Sequence, residues 1–107
     1  MKEKELNREE RNKTVMETGA LVMAEFYADW CPHCQKIMPI VKEFKELEKG
    51  KLEVVQINIE EESALADLYT VESIPTFILL QKGEALWRQS GEMSLDRLRK
   101  VVEDVVG

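Results

Sequence analysis

Apolar positions along the chain switch between two periods, and the switches predict the element order helix, strand, helix, strand, helix, strand, strand, helix. Helix formers run from about Leu6 to Thr18, with Asn7 as a cap, Gly19 as a stop and a thin apolar face of Leu6, Val15 and Met16. The stretch Ala20-Leu21-Val22-Met23-Ala24-Glu25-Phe26-Tyr27 is nearly continuous in apolarity, as in a strand buried on both faces, with Glu25 the exception. Ile37, Ile40, Val41, Phe44 and Leu47 then recur at helical spacing in a helix ending at Gly50. Pro32 suits its first turn, whereas Pro39 removes a mid-helix hydrogen bond and predicts a kinked but unbroken helix.

Lys51 to Ile59 alternates as a second strand with a mainly one-sided apolar pattern. A short helix from about Glu61 to Tyr69 is expected to bury Leu65, Leu68 and Tyr69. Thr76 to Leu80, the turn Lys82-Gly83 and Ala85 to Ser90 read as an antiparallel hairpin. Ser94 caps a last amphipathic helix carrying Leu95, Leu98, Val101, Val102 and Val105. A βαβ unit followed by a ββα unit makes an α/β sandwich with a mixed sheet.

Length and charge narrow the function classes. At 107 residues, 44% hydrophobic and 34% charged, the chain reads as one domain, 1–107, of a soluble globular protein. Its longest apolar run is too short to cross a bilayer, so no membrane partner is expected. A net charge of -6 without a basic stripe argues against nucleic acid. The run Glu60-Glu61-Glu62 reads as a solvated helix start. The charged opening Met1-Lys2-Glu3-Lys4-Glu5 does not resemble a secretory signal and points to the cytoplasm, or to the periplasm or another extracytoplasmic space if a leader has been removed. In a reducing compartment, paired cysteines point to redox cycling or metal.

Candidate chemistry is concentrated in Phe26-Tyr27-Ala28-Asp29-Trp30-Cys31-Pro32-His33-Cys34, which holds both cysteines and the only histidine. Two cysteines at this spacing can close a disulfide, supply half of a metal site, or stay inert. Zinc is disfavoured because four ligands are typical and His33, between the cysteines, is badly placed to join them; no metal or cofactor is expected. Cys31 stands at a predicted helix N-terminus, where unpaired N–H groups favour a thiolate. The helix dipole contributes only about 0.3–1 kcal/mol, less than the roughly 1.4 kcal/mol equivalent to one pKa unit. Direct hydrogen bonds and a protonated His33 are therefore expected to add to it, with His33 making the couple more oxidising. Glu25 is an ionisable group in a buried strand, where a carboxylate is costly. Trp87 reads as covering a sheet face or edge and the methionines as core fillers or termini, with Met38 within reach of substrate.

Together and in register, the strand ending in Ala28-Asp29-Trp30-Cys31, then Cys34, Pro39, Ser73-Ile74-Pro75-Thr76-Phe77, Gly83 and Gly91, resemble the thioredoxin family from about Val15 onward. The resemblance implies a thioredoxin-like three-layer sandwich whose central mixed sheet has four strands, or five if Lys2 to Leu6 adds an edge strand; that segment is a poor strand, so a short or missing one is expected. It implies a monomeric protein-disulfide oxidoreductase, read as a reductase of protein disulfides and itself recycled by a reductase. Cys31 would be the nucleophile and Cys34 the less exposed, resolving thiol of a redox-active disulfide. Glu25 would relay a proton to Cys34 through water, and Pro75 would be cis, facing the cysteines. The backbone of Ile74 would pair with an extended substrate, with Trp30, Pro75 and Gly91 forming an apolar rim around Cys31.

Two departures qualify the resemblance. Pro32 and His33 stand where thioredoxins proper usually carry Gly-Pro, so the pair looks more like that of bacterial periplasmic disulfide-introducing oxidoreductases and opens an oxidase or isomerase alternative. Gln56 stands where many thioredoxins have a lysine, and the buried acid is Glu25 where aspartate is more usual. A non-catalytic binding subunit built on the same fold is the alternative from a different class.

Overall fold

The computed structural model describes residues 7–106. Its elements are α1 (Arg8–Glu17), β1 (Val22–Tyr27), α2 (Pro32–Leu47), β2 (Glu53–Asn58), α3 (Ser63–Leu68), β3 (Thr76–Gln81), β4 (Glu84–Ser90) and α4 (Leu95–Val106). The sheet runs β2-β1-β3-β4, with β1 parallel to β2 and antiparallel to β3, and β3 antiparallel to β4. The expected order and mixed sheet are thus found, with four strands among the described residues; the proposed edge segment Lys2 to Leu6 lies outside them.

Alternation along β1 explains the three layers. Met23 faces a core built with Ile37, Val41 and Phe44 of α2 and Leu98, Val101 and Val102 of α4. Val22, Ala24 and Phe26 face the other way, toward Val15 of α1 and Leu65 and Ala66 of α3. A strand covered on both sides must be apolar on both, which is why its sequence lacks the one-sided pattern of a solvated sheet. The same reason corrects the one-sided reading of β2: Val54 joins the α2/α4 core while Val55 and Ile57 join the opposite one.

Local chemistry sets the element ends. Asn7 caps α1 through a box in which its Oδ1 accepts from Glu10 N–H at 2.8 Å and its own N–H donates to Glu10 Oε1 at 3.5 Å. The last α1 residue is Glu17, with extended Thr18 at the C-cap, so the helix ends before Gly19 rather than through it. α2 continues unbroken through Pro39 and ends at Leu47; Gly50, at φ +87°, lies in the following turn. Lys82 and Gly83, at φ 53° and 78°, make the tight left-handed turn of the β3–β4 hairpin.

Several burial expectations are reversed. Leu47 is exposed and Glu48 is buried in its place, because the C-terminal turn of α2 rotates the leucine out of the core stripe. In α3 it is Ala66 that packs beside Leu65, and Leu68 is 58% exposed. Glu62, expected in solvent, is only 2% exposed, at the start of α3 with Arg11 Nη2 at 3.7 Å from its Oε1. A buried carboxylate needs such a partner, and α1 supplies it from across the layer.

Candidate active site

The site lies where β1 ends and α2 begins. Tyr27 closes the strand, Ala28 accepts a hydrogen bond from Cys31 N–H at 3.2 Å, and Cys31 becomes the N-cap of α2 with Pro32 in the first turn. Gln35 Nε2 donates to Asp29 O at 2.7 Å, binding the helix start to the loop before it. Cys31 Sγ accepts from Cys34 N–H at 3.2 Å, one of the orphan N–H groups of the first turn. The helix thus gives the sulfur a direct donor in addition to its dipole.

Both cysteines are free thiols, and each is 3% exposed. The expectation that Cys34 is the less exposed is not met, since Ile74 packs against the pair with its carbonyl 3.9 Å from Cys31 Sγ. Ala28, Cys31 and Cys34 form a small cluster of their own against Tyr27, Ile59 and Ile74. Burial, followed by the interaction with Cys31, pushes the Cys34 thiol up to about 12. Cys34 is therefore a protonated thiol near neutral pH.

Two further loops converge on Cys31. The Ile74–Pro75 peptide is cis, and Ile74 O lies 3.9 Å from Cys31 Sγ. Thr76 Oγ1 donates to Ser73 O at 2.6 Å and lies 2.8 Å from Ser90 Oγ, tying this turn to the end of β4. Gly91 N–H donates to Pro75 O at 2.8 Å, and its φ of 102° is the left-handed conformation that favours glycine. Trp30 is 63% exposed, so its ring is free to form a rim. Trp30, Ile74, Pro75 and Gly91 are thus brought around Cys31 by three separate loops. Met38 is also exposed, on the first half of α2.

Glu25 sits on the α2 side of β1, in register with Gln56 of β2, and is 2% exposed. Gln56 Nε2 donates to Glu25 Oε1 at 3.0 Å. Burial raises the carboxyl to about 7, and the Gln56 hydrogen bond only partly opposes it. An amide can hydrogen-bond a carboxylate but cannot neutralise it, as a lysine there would.

His33 has a partner that the sequence reading did not name. Its ring points outward, and Nδ1 pairs with Glu92 Oε2, while Lys36 Nζ lies 3.4 Å from Glu92 Oε1. The hydrogen-bond partners of Cys31 Sγ are Cys34 N–H and Ile74 O, and His33 is not among them. Sequence reasoning missed Glu92. Its signal was modest: an acid directly after Gly91, a residue already assigned to the rim.

Comparison with known proteins matches this arrangement to a family. A family model described as Thioredoxin matches residues 2–104. Thioredoxin Y1, chloroplastic, of Arabidopsis thaliana is 39% identical over 83 residues, covering 78% of this chain and 48% of the relative. Thioredoxin 1 of Chlorobaculum tepidum is 33% identical over 86 residues, covering 80% of this chain and 85% of the relative. The chain spans about half the length of the plant chloroplast relatives it matches. A solved mutant thioredoxin from Halobacterium salinarum superposes with a TM-score of 0.78 at 31% identity, covering 94% of this chain and 87% of that one. In sequence, sheet order and the meeting of three loops at a Cys-x-x-Cys helix start, the chain belongs to the thioredoxin family.

Proposed function

We propose that the chain is a thiol-disulfide oxidoreductase that reduces protein disulfides through Cys31 and Cys34. The carrying observation is Cys31 Sγ at the N-cap of α2, held by Cys34 N–H at 3.2 Å and opposed at 3.9 Å by the carbonyl of the cis Ile74–Pro75 peptide. The Cys31 thiolate attacks one sulfur of a substrate disulfide; a Cys31–substrate bond forms as the substrate S–S bond breaks, and the leaving sulfur takes a proton. Cys34 then loses its proton and attacks Cys31 Sγ, closing the Cys31–Cys34 disulfide and releasing the second substrate thiol. Two electrons pass to the substrate, and a dithiol donor, such as a recycling reductase, returns them.

The proton of Cys34 is the obstacle, since its thiol lies at about 12. Glu25, near 7, is the buried group able to accept it, directly or through water. Its affinity for protons is high enough to take one and low enough to lose it again near neutral pH. The backbone of Ile74 offers main-chain pairing to an extended substrate, with Trp30, Pro75 and Gly91 as its apolar surround. Pro32 pre-sets the first turn of α2 and so fixes where Cys31 stands.

A reductase is favoured over an oxidase or isomerase because His33 is paired with Glu92 and not with Cys31. The test is reduction of insulin by the dithiol chain, with Cys31→Ser and Cys34→Ser as partners. Parent activity, none in Cys31→Ser, and a trapped mixed disulfide with Cys34→Ser are expected. Turnover by Cys31→Ser, or failure of Cys34→Ser to trap a substrate, would overturn the assignment of roles.

A further inference from the structure

We propose that Glu92 is a positioning residue that holds the His33 imidazole away from the Cys31 sulfur, keeping the Cys31–Cys34 couple more reducing than Pro32-His33 alone would make it. The inference rests on the reading of Cys31 and Cys34 as a redox pair.

The backbone on either side of Glu92 is anchored. Gly91 N–H is bonded to Pro75 O at 2.8 Å, and Met93, 3% exposed, is packed in the α2/α4 core. Ser94 Oγ then accepts from Arg97 N–H at 3.1 Å, capping α4. The Glu92 carboxylate is therefore delivered to the first turns of α2 by a fixed loop. There it divides its oxygens, Oε2 to His33 Nδ1 and Oε1 to Lys36 Nζ at 3.4 Å. These partners, His33 first, hold the Glu92 carboxyl below the usual carboxylate range, so it is an anion near neutral pH.

The consequence is a competition for one imidazolium. A cation beside the Cys31 thiolate stabilises the dithiol over the disulfide and makes the couple oxidising. With Nδ1 committed to Glu92, His33 donates nothing to Cys31 Sγ and its charge is offset by the carboxylate. The His33 side chain is 69% exposed and that of Glu92 31% exposed, so the restraint is screened by salt. Glu92 thus reconciles an insert that looks oxidising with a site that reads as a reductase.

The test is a cycle of Glu92→Gln, His33→Ala and the double variant, each equilibrated as the full chain with glutathione buffers. In that reaction two glutathione thiols reduce the Cys31–Cys34 disulfide and form glutathione disulfide. Glu92→Gln is expected to raise the equilibrium constant for reduction about threefold to tenfold, the upper value being about 30 mV. In the His33→Ala background it should change nothing, and in 1 M salt the effect in the parent background should shrink. A constant unmoved by Glu92→Gln overturns the inference. So does an equal shift in the His33→Ala background, because the Glu92 charge would then act on Cys31 directly. If the parent pair does not exchange with glutathione at all, the redox reading itself fails; normal exchange with a silent Glu92→Gln removes only the role of Glu92.

Discussion

The Glu25 carboxyl couples burial to protonation. Buried at 2% exposure with the Gln56 amide as its hydrogen-bond partner among the described residues, it stays protonated up to about 7, whereas an unfolded chain releases the proton near 4.5. Between those values the folded state binds a proton that the unfolded state has lost, so stability falls as pH rises through this window. Below 4.5 both states are protonated and the cost disappears. The gap from 4.5 to about 7 corresponds to about 3 kcal/mol at roughly 1.4 kcal/mol for each pKa unit. Glu25→Gln keeps an acceptor for Gln56 Nε2 but never ionises. Urea unfolding should find it more stable than the parent by about 1–3 kcal/mol at pH 8, the upper figure being the full linkage term, and equal to it at pH 4. Under the proposed relay, the same variant should also slow closure of the Cys31–Cys34 disulfide, because the proposed acceptor of the Cys34 proton is gone. An identical pH profile of stability in both proteins would mean that burial does not hold the Glu25 proton.

At the level of elements, spacing identified helices and strands more reliably than it identified their buried positions. The five apolar positions chosen on α2 included Leu47, yet it is Glu48, the C-cap just after it, that is buried; an apolar letter at the right period says nothing about where a helix's last turn leaves the core. In α3 the short Ala66 packs beside Leu65 in the core, and Leu68 is left outside. Leu65→Ala, 7% exposed, should therefore cost about 2–4 kcal/mol, within the range for core leucines. Leu68→Ala, 58% exposed, should stay within about 0.5 kcal/mol. Comparable losses from the two, measured by chemical denaturation, would restore the sequence-based face. The candidate site was more legible than these faces, because Cys31, Cys34, Glu25, Ile74, Pro75 and Gly91 each carry a signal in residue type and local context. Two facts were not legible: that His33 turns outward, and that Glu92 receives it. Both depend on a contact between residues 59 positions apart, which no periodicity encodes.

Across the whole molecule, the topology brings together at the thiol pair three loops that each carry an acidic residue. Asp29 lies two residues before Cys31, Glu72 two before Ile74, and Glu92 directly after Gly91, so each loop that meets at the site carries one. Lys36, in the first turns of α2, is engaged with Glu92, and the chain as a whole carries -6. Charges of one sign around an opening raise the local concentration of ligands of the other sign and repel those of the same sign. Small disulfides provide the test, since under the proposed function they would react at Cys31 without relying on an extended backbone. A cationic diamine disulfide should be reduced faster than a dicarboxylate disulfide, by about threefold to tenfold at low ionic strength after correction for their uncatalysed rates, as expected of field-driven encounter. In about 0.5 M salt, where the screening length falls to a few ångströms, the two rates should converge. A preference that survives high salt would instead place the discrimination in direct contacts with Asp29, Glu72 or Glu92, and single neutralisations of these acids would identify which. Rates that are equal at low salt would mean that the anionic loops and the overall charge exert no net field at Cys31, and that approach to this site is governed by shape and main-chain pairing alone.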